Sequence, residues 1–295
     1  MKLGIDLGGT KIEIVALDDA GAELLRRRVP TPNGDYCGTL QAIAALVHAA
    51  EAELGERGSL GIGTPGAISR ATGRIKNSNS THLIGQPLVR DLEALLQHPV
   101  KISNDANCFA LSEATDGAAA CASVVFGVIL GTGVGAGIVV DGRVLTGANG
   151  IAGEWGHNPL PWPEPQELPG PVCYCGKHGC IETFLSGPGM MRLHHIETGE
   201  VLSSKEIVQR AEQGDAVCER SLQTYENRLA RGLAHVINIL DPDVIVLGGG
   251  MSNIERLYAN VPTLRGQWVF SDRVDTRLVK NRHGDSSGVR GAAWL

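Results

Sequence analysis

GIDLGGTKIEIVAL, residues 4–17, is the stretch that decides the fold of this chain. An apolar strand leads into Gly8-Gly9-Thr10-Lys11, and beyond this turn apolar residues recur with a period close to two. That period predicts a second strand, so the chain turns back as a β-hairpin. Walker A loops and dinucleotide-binding fingerprints instead lead from their glycines into a helix. The pattern therefore indicates a different kind of glycine-rich turn.

A second hairpin of the same design lies in the middle of the chain, in FGVILGTGVGAGIVVDG (126–142). Its strands flank Gly131-Thr132-Gly133. Glycine lets backbone N–H groups approach an anion closely, and Thr10, Lys11 and Thr132 add donors at the two turns. Each hairpin alone is equally consistent with a tight β-turn. Their repetition, one in each half of the chain, predicts that two related domains hold the phosphates of a nucleotide.

The composition is that of an ordinary soluble enzyme. The chain has 295 residues, enough for two domains, of which 43% are hydrophobic and 20% charged. A formal net charge of −6 argues against a nucleic-acid partner, because nucleic-acid-binding domains carry a basic surface. Residues 117–140 hold no charge and are long enough to span a bilayer, but their glycines and β-branched residues favour a buried hairpin. Because Asp6 interrupts the apolar start, we expect no signal peptide, no membrane partner and a cytoplasmic location.

The rest of the chain alternates helices and strands. Helices are predicted over 39–54, 91–96, 106–114 and about 215–240, strands over 2–7, 11–17, 22–30, 60–63, 100–103 and within 124–140, and a strand, a glycine turn and a helix start over 243–253. Hairpins followed by helix–strand alternation occur twice, which predicts a duplicated α/β fold. Residues 158–172 carry six prolines, so we expect a long irregular loop there that needs an anchor.

Asn104-Asp105 stands where a predicted strand meets a predicted helix. An Asn or Asp at this point is as well explained by helix capping as by catalysis. In the catalytic interpretation Asp105 takes the proton from an attacking hydroxyl while Asn104 orients the substrate. Phosphoryl transfer also needs neutralised phosphates and a bridging metal ion, for which Lys11, the turn amides and Asp6 are candidates. A helix N-terminus lowers the pKa of Asp105 and burial raises it, so the direction of the shift stays open.

Cys173, Cys175 and Cys180, with His157 upstream, form a second group of candidate site residues. Three thiols and one imidazole match the tetrahedral donor set of a structural zinc ion. Disulfides are rare in cytosolic proteins, which leaves zinc or free thiols, and the complete donor set favours zinc.

Two carboxylates and a glycine triplet complete the candidates. Glu154 lies three residues before the histidine, and Glu182 lies two residues after the last cysteine. Metal binding would hold both carboxylates in positions suited to sugar hydroxyls, although exposed surface charge is the commoner role of a glutamate. Gly248-Gly249-Gly250 is either a strand-to-helix turn or a place where an adenosine lies close to the backbone.

Six motifs together resemble the ROK family of bacterial sugar kinases and repressors: GIDLGGTK (4–11), SNDAN (103–107), ILGTGVGAG (129–137), GEWGH (153–157), CYCGKHGCIE (173–182) and DPDVIVLGGG (241–250). The resemblance covers essentially the whole chain. It implies an α/β, actin-like fold of the ribonuclease H-like, hexokinase type, duplicated into two domains with a cleft between them. We expect a small domain over 1–117, onto which a C-terminal helix at about 284–295 packs back, and a large domain over 118–283 with the zinc-binding loop.

The resemblance also implies ATP, Mg²⁺, a structural Zn²⁺ and transfer of a phosphoryl group to a hexose 6-hydroxyl, and we expect a homodimer. Carried over by matching position, Asp105 is the general base. The residues implied at the sugar are Gly66, Asn79, Asn104, Asp105, Glu154, His157 and Glu182. The implied zinc ligands are His157, Cys173, Cys175 and Cys180. The residues implied at the nucleotide are Gly4, Ile5, Asp6, Leu7, Gly8, Gly9, Thr10, Lys11, Gly131, Thr132, Gly133, Val134, Gly135, Ala136, Gly137, Ile138, Gly248, Gly249 and Gly250.

The branch of the family is a separate question. Its repressors carry an N-terminal helix-turn-helix, for which a hairpin that begins at residue 4 leaves no room, so we expect a kinase rather than a sugar-sensing regulator. GEWGHNPLPW (153–162) and NSNSTHLIGQPL (77–88) look most like bacterial fructokinases, which also accept mannose, whereas N-acetylglucosamine kinases usually carry Phe in place of Trp155. Fructose is therefore the expected hexose, with N-acetylglucosamine or glucose as the alternative. His82 stands where relatives often have Trp, so its effect on the sugar site stays open.

Overall fold

Apolar runs and amphipathic stretches form strands and helices close to the places that the sequence predicts. The computed structural model describes residues 1–78 and 80–295. Its strands are β1 (Lys2–Leu7), β2 (Lys11–Leu17), β3 (Glu23–Pro30), β4 (Ser59–Thr64), β5 (Ala67–Ile68), β6 (Ile75–Lys76), β7 (Val100–Asn104), β8 (Val124–Leu130), β9 (Val134–Val140), β10 (Arg143–Val144), β11 (Val244–Gly248) and β12 (Arg277–Lys280). Its α-helices are α1 (Tyr36–Leu54), α2 (Leu88–Leu96), α3 (Asp105–Thr115), α4 (Ile181–Leu185), α5 (Gly187–Thr198), α6 (Ser204–Glu212), α7 (Ala216–Leu240), α8 (Leu257–Arg265) and α9 (Ser287–Ala293).

Ten of these strands form two five-stranded sheets, and β5 and β6 pair in a two-stranded sheet. The first has the order β3-β2-β1-β4-β7, in which β1 pairs antiparallel with β2 and parallel with β4. The second has the order β10-β9-β8-β11-β12, in which β11 lies parallel to β8 and to β12. Numbered along the chain, the strands of both sheets follow the order third, second, first, fourth, fifth. This shared order is what a duplicated α/β fold requires.

The uncharged stretch 117–140 contributes β8 and β9 to the second sheet, as the hairpin interpretation predicts. Within the described ranges, the length and hydrophobicity needed to traverse a bilayer do not occur together in any helix. One expected element differs. The helix start predicted directly after Gly250 is a 3-10 turn over Gly250–Asn253, which the Ser252 hydroxyl ties to the Gly249 carbonyl at 2.7 Å, and the α-helix begins only at Leu257.

The chain divides into two compact units. The first comprises Met1–Cys121, Gly137–Ala152 and Arg282–Leu295, and the second comprises Ala122–Ala136 and Gly153–Asn281. The assignment of 1–117 and 118–283 to two functional domains stays a prediction. In the first unit, Leu3, Ile5 and Leu7 lie on one face of β1, because side chains of a strand alternate, and they are buried in one core with Ile43 and Val47 of α1.

Helix α9 packs on β1, β4 and α3 within the first unit. Its backbone approaches theirs so closely that side chains are excluded at three positions. A Cβ atom at Gly4 would lie 2.2 Å from the Val289 carbonyl oxygen, and one at Gly61 would lie 1.9 Å from that of Ala292. A Cβ atom at Gly291 would lie 1.6 Å from the carbonyl oxygen of Cys108. Glycine is therefore required at these positions by packing.

The buried carboxylate of Glu113, near the end of α3, holds the segment that leads into α9. It accepts hydrogen bonds from the backbone N–H groups of Arg282 at 3.0 Å and His283 at 3.3 Å. The Ser287 hydroxyl donates a third at 2.8 Å, and the backbone N–H of Ala118 a fourth at 2.8 Å. Four donors satisfy a buried carboxylate that would otherwise be costly to bury.

The proline-rich loop over 158–172 is anchored by a buried ion triad that sequence analysis did not identify. Glu167 ends a 3-10 turn in this loop and is 5% exposed. Its carboxylate accepts hydrogen bonds from Arg228 Nε at 2.7 Å and from Arg231 Nη2 and Nη1 at 2.8 Å each. Burial alone would raise the pKa of Glu167, but the hydrogen bonds from Arg231 and Arg228 outweigh it and lower the pKa. The loop is thereby fixed to α7.

We expect Glu167→Ala to destabilise the protein by about 3–5 kcal/mol, because the substitution leaves two buried arginines without their counter-ion. The measurement is the free energy of unfolding from a guanidinium titration. Asp275→Ala is the matched control, since it breaks an ion pair with Arg273 in which both side chains are more than two-thirds exposed, and such pairs contribute little. Equal unfolding midpoints for the two variants would contradict the assignment of Glu167 as the anchor.

Candidate active site

The turn between β1 and β2 presents the first candidate phosphate site. The Gly8 N–H donates to the Lys11 carbonyl at 3.0 Å, and the Thr31 hydroxyl donates to the Gly8 carbonyl at 2.7 Å, so the turn is held from both sides. Gly9, Thr10 and Lys11 are exposed. Backbone N–H groups and a cationic side chain at an exposed glycine turn suit an anionic ligand.

Three residues expected at the nucleotide have another role. Gly4, Ile5 and Leu7 are buried within β1, and Gly4 lies against the backbone of α9. Packing accounts for these residues, and their contact with a nucleotide stays a prediction. The sequence already indicates that these residues cannot all face one ligand, because successive side chains of a strand point to opposite faces of the sheet.

Positive charge accumulates next to the first turn through residues that sequence analysis missed. The carboxylate of Glu13, in β2, is buried and pairs with Arg26 Nη1 at 2.8 Å and Arg28 Nε at 2.8 Å. Lys11 Nζ lies 3.9 Å from the same carboxylate. Arg26 also pairs with Glu23 at 2.8 Å, so three cations meet two anions here, and the surplus of one positive charge favours phosphate binding at this edge of the sheet.

Asn104 and Asp105 take different positions at the start of α3. Asn104 is the N-cap of α3, because its Oδ1 accepts the backbone N–H of Asn107 at 2.8 Å. Asp105 is the first helical residue, and its Oδ1 accepts the backbone N–H of Ala106 at 2.8 Å. Solvent reaches the Asp105 side chain, yet protein encloses it closely enough that burial outweighs these helix N–H groups and raises its pKa.

Asp6, at the end of β1, is the second carboxylate of this region. Its pKa is raised to about 6, first by burial and then by the negative charges of Asp105 and Glu13, against the opposing influence of Lys11 and Arg28. The charge of Asp105 thus contributes to the raised pKa of Asp6. Once ionised, the two carboxylates offer the hard oxygen ligands that Mg²⁺ takes and a base for a hydroxyl proton.

The turn between β8 and β9 belongs to the second unit and is fastened to the helices that follow the cysteine cluster. The Gly131 carbonyl accepts the N–H of Gly187, the first residue of α5, at 2.9 Å. Glu182 Oε2 accepts the N–H of Val134 at 2.9 Å, and a Cβ atom at Gly133 would lie 2.7 Å from this oxygen. Glu182, which is predicted at the sugar, therefore holds the turn between β8 and β9.

A cavity of about 940 Å³ opens beside this turn in the second unit. Gly131, Thr132 and Gly250, three of the residues predicted at the nucleotide, line it together with Met251, Asn253 and Ile254. The start of α5 and the whole length of α6 form the rest of its wall, and sequence analysis had assigned them no role: Gly187, Pro188, Met191, Ser204, Lys205, Val208, Gln209 and Glu212. The volume lies within the range of small-molecule sites.

The other glycines and apolar residues predicted at the nucleotide lie mostly inside strands. Val134, Ala136, Gly137 and Gly248 are buried, while Gly135 and Ile138 are half-buried. Gly249 has φ +79°, and a Cβ atom there would lie 2.5 Å from the Leu130 carbonyl oxygen, so the backbone turn itself requires glycine. Gly250 has open space around its Cα, which suits close approach of a ligand.

The predicted zinc ligands are brought together. The candidate ligand atoms of His157, Cys173, Cys175 and Cys180 all lie within 4.8 Å of one another. His157 Nδ1 is 3.5 Å from Cys173 Sγ, and Cys175 Sγ is 3.6 Å from Cys180 Sγ. A tetrahedral zinc ion with ordinary bond lengths separates a nitrogen and a sulfur ligand by about 3.6 Å and two sulfurs by about 3.8 Å. The donor set fits zinc in chemistry and in spacing.

The remaining sugar candidates occupy separate places. Glu154 is exposed directly before the 3-10 turn Trp155–His157. Gly66, at φ +85°, forms a turn packed against the Lys76 carbonyl. Asn79 lies outside the described residues. Gly66, Asn104 and Asp105 belong to the first unit, and Glu154, His157 and Glu182 to the second.

The sequence profile of the ROK family matches residues 2–295. The chain belongs to the ROK family. An N-acetyl-D-glucosamine kinase of Pectobacterium atrosepticum is 41% identical over 299 residues, which cover 100% of this chain and 98% of that protein. One from Vibrio cholerae is 40% identical, covering 100% of this chain and 99% of that protein.

Solved structures agree with this membership. A ROK hexokinase from Thermus thermophilus has a TM-score of 0.88 at 33% identity and covers 100% of this chain and 97% of its own. A ROK glucokinase from Streptomyces griseus, in complex with glucose and AMPPNP, has a TM-score of 0.76 at 28% identity, with coverages of 99% and 97%. The ROK protein described here therefore has the actin-like, two-domain sugar-kinase fold, and the predicted fold class is confirmed.

We expect this ROK protein, purified without added metal, to contain about one equivalent of zinc per chain, as a closed four-ligand site implies. Cys175→Ser should lower both zinc content and melting temperature, because structural zinc contributes to folding. Cys37→Ser, at an exposed cysteine outside the cluster, is the control and should change neither. Metal analysis and thermal unfolding measure the two effects. A zinc content below about a tenth of an equivalent, with no effect of a chelator, would leave the cysteines as free thiols.

Proposed function

We propose that this ROK protein is an ATP-dependent hexose kinase and that its hexose is N-acetyl-D-glucosamine. The relatives at 40–41% identity over the full chain are N-acetyl-D-glucosamine kinases. They support the alternative hexose over fructose, which the motifs had favoured. The similarity extends over nearly the whole length of these kinases, and it therefore also favours a kinase over a sugar-sensing regulator.

The observation that carries the proposal is the cavity beside Gly131-Thr132-Gly133. It combines a volume suited to an adenosine with a turn suited to phosphates, and helices α5 and α6 wall it. We assign the adenosine to this cavity and the phosphates to the turn. The glucokinase of Streptomyces griseus, which was crystallised with an ATP analogue, supports a nucleotide for this chain.

We assign phosphoryl transfer to two carboxylates of the first unit, Asp105 and Asp6. Asp105 is proposed to accept the proton of the hexose 6-hydroxyl while that oxygen attacks the γ-phosphorus and the bond to ADP breaks. Its raised pKa brings the base closer to working pH, where proton acceptance is most effective. Asp6 would hold Mg²⁺, which neutralises phosphate charge when it is bound. Lys11 and Arg28 would add positive charge at the first turn.

The sugar contacts remain assigned to Gly66, Asn79, Asn104, Glu154, His157 and Glu182, and the structure adds a constraint on two of them. Asn104 Oδ1 is used by the helix cap, so its amide N–H₂ is the group left to donate to a sugar hydroxyl. Glu182 Oε2 accepts the hydrogen bond of the Val134 N–H, so Oε1 is the main oxygen left to accept a hydrogen bond from a sugar hydroxyl. Glu182 would then link the sugar to the phosphate turn.

Trp155 had pointed to fructokinase, and its surroundings explain why it is a weak marker of the hexose. It is 4% exposed and packs edge-to-face on Phe126, with ring centroids 5.9 Å apart. A Cβ atom at Gly232 would lie 2.8 Å from its ring. The identity of a residue enclosed in this way is set by the space in the core, so Phe or Trp at this position reports packing rather than substrate.

The substrate assignment is tested by coupled ADP release with N-acetylglucosamine, glucose, mannose and fructose. We expect kcat/KM for N-acetylglucosamine to exceed that of every other sugar by about tenfold or more, which is within the range that pocket contacts provide. ATP turnover without sugar is the blank. A higher kcat/KM for fructose would restore the motif-based expectation and overturn the present assignment.

Asp105→Asn should lower kcat by about 10²–10⁴, because the variant keeps the size of the side chain while removing its basicity. The helix cap is Asn104, so the fold should persist, and thermal unfolding checks this. Asp275→Asn, at an exposed carboxylate in the second unit, is the control and should keep full activity. A kcat near that of the wild type in Asp105→Asn would show that the residue is not the base.

A further inference from the structure

Three polar side chains of α6, those of Lys205, Gln209 and Glu212, line the cavity beside the second glycine turn. Their spacing of four and three residues places them on one face of the helix. Among the described residues, the side-chain hydrogen bonds and ion pairs of α6 belong to two other residues, Glu206 and Arg210, which do not line the cavity. The polar groups on the cavity side are therefore the ones available to a ligand.

The first turn of α6 lies at the glycine turn, and Gly187 connects the two. The Gly187 N–H donates to the Gly131 carbonyl at 2.9 Å. A Cβ atom at Gly187 would lie 3.6 Å from that carbonyl oxygen and also 3.6 Å from Ser204 Oγ. Ser204 is the first residue of α6, and Lys205 follows it. Lys205 is therefore the lining residue that brings a positive charge to the end of the cavity beside Gly131-Thr132-Gly133.

Glu212 lies at the other end of the helix and gives the cavity a direction. An α-helix rises about 1.5 Å per residue, so Glu212 stands about 10 Å along the helix axis from Lys205, away from the glycine turn. Between the two charges the lining includes the apolar side chains of Met191, Val208 and Ile254, which suit a purine base. A ligand that is anionic at one end and apolar at the other fits with its phosphates beside Lys205.

We propose that Lys205 is a nucleotide-binding residue, whose ammonium group binds the phosphates that ATP and ADP share. The proposal rests on the proposed function, because it takes the occupant of the cavity to be ATP. Lys11 and Arg28 belong to the first unit and Lys205 to the second, so each glycine turn has a cation within its own unit. A contact made equally before and after phosphoryl transfer lowers the KM for ATP and leaves kcat unchanged.

The test is Lys205→Met, which keeps an unbranched side chain and removes the charge at an exposed position. By calorimetry, the dissociation constant of ADP should rise about tenfold, the scale of one lost charged hydrogen bond. The dissociation constant of adenosine, which has no phosphate, should stay within about twofold. The KM for ATP should rise about as much as the ADP constant, with kcat within about twofold. Lys205→Arg keeps the charge and should retain most of the ADP affinity. Added salt should weaken ADP binding more in the wild type than in Lys205→Met, because salt screens the charge pair.

Arg220→Met is the matched control, since it removes an exposed cation of the same unit from α7, outside the cavity lining. It should leave the affinities for ADP and adenosine unchanged. Equal weakening of ADP and adenosine in Lys205→Met would overturn the proposal, because it would report a damaged cavity wall rather than a lost phosphate contact. Unchanged ADP affinity in Lys205→Met, with tighter ADP binding in Glu212→Gln, would overturn it by placing the phosphates at the opposite end. If the wild type bound neither ligand, the proposed function itself would fail and the proposal with it.

Discussion

The constraint on which the first unit depends is the backbone-to-backbone approach of α9 to β1, β4 and α3. Gly4, Gly61 and Gly291 permit it, and any side chain at these positions would overlap a carbonyl oxygen. The same elements carry the proposed chemistry, since Asp6 ends β1 and Asp105 begins α3. Gly288, in the first turn of α9, faces Asp6, and a Cβ atom there would lie in ordinary van der Waals contact with the Asp6 carboxyl carbon at 4.0 Å. Packing at the glycines thus fixes where the two carboxylates stand.

The acidic residues of the first unit have different roles, which depend on the groups that surround each carboxylate. Glu13 is buried and pairs with the half-buried Arg26 and the exposed Arg28, whose charges compensate it, so it organises cations next to the first turn. Glu113 is buried with four hydrogen-bond donors and organises the backbone that leads into α9. At Asp6 and Asp105, burial outweighs the groups that would favour ionisation, and their pKa values rise. The pattern separates carboxylates that hold structure from those suited to proton and metal chemistry.

Local patterns made part of this molecule predictable. The period of two after each glycine turn indicated the hairpins, and the donor set of His157 and the three cysteines indicated the cluster that the structure brings within 4.8 Å. The anchor of the proline-rich loop was not predictable, because Glu167 and Arg228 are 61 residues apart and nothing local pairs them. The α6 residues that line the cavity match no sequence motif, so their place in the site was not predictable either. A local motif can also suggest too much. Trp155 was interpreted as a marker of the hexose, whereas its identity is set by its packing against Phe126 and Gly232.

The loop that connects His157 to Cys173 is held in two physically different ways. At its ends the holding groups are metal ligands, which act only when a metal ion replaces their protons. In its middle the Glu167 triad acts without any metal, through buried charge on α7. Backbone hydrogen bonds also tie the ends without a metal, since the Leu160 N–H donates to the Gly179 carbonyl at 2.9 Å and the Ile181 N–H donates to the Asn158 carbonyl at 2.8 Å. Loss of the metal would therefore remove the tie through the side chains of His157 and the cysteines, while the backbone bonds and the Glu167 triad remain. Because His157 is also proposed to meet the hexose, sugar binding, rather than the fold of the second unit, is the property most sensitive to the metal.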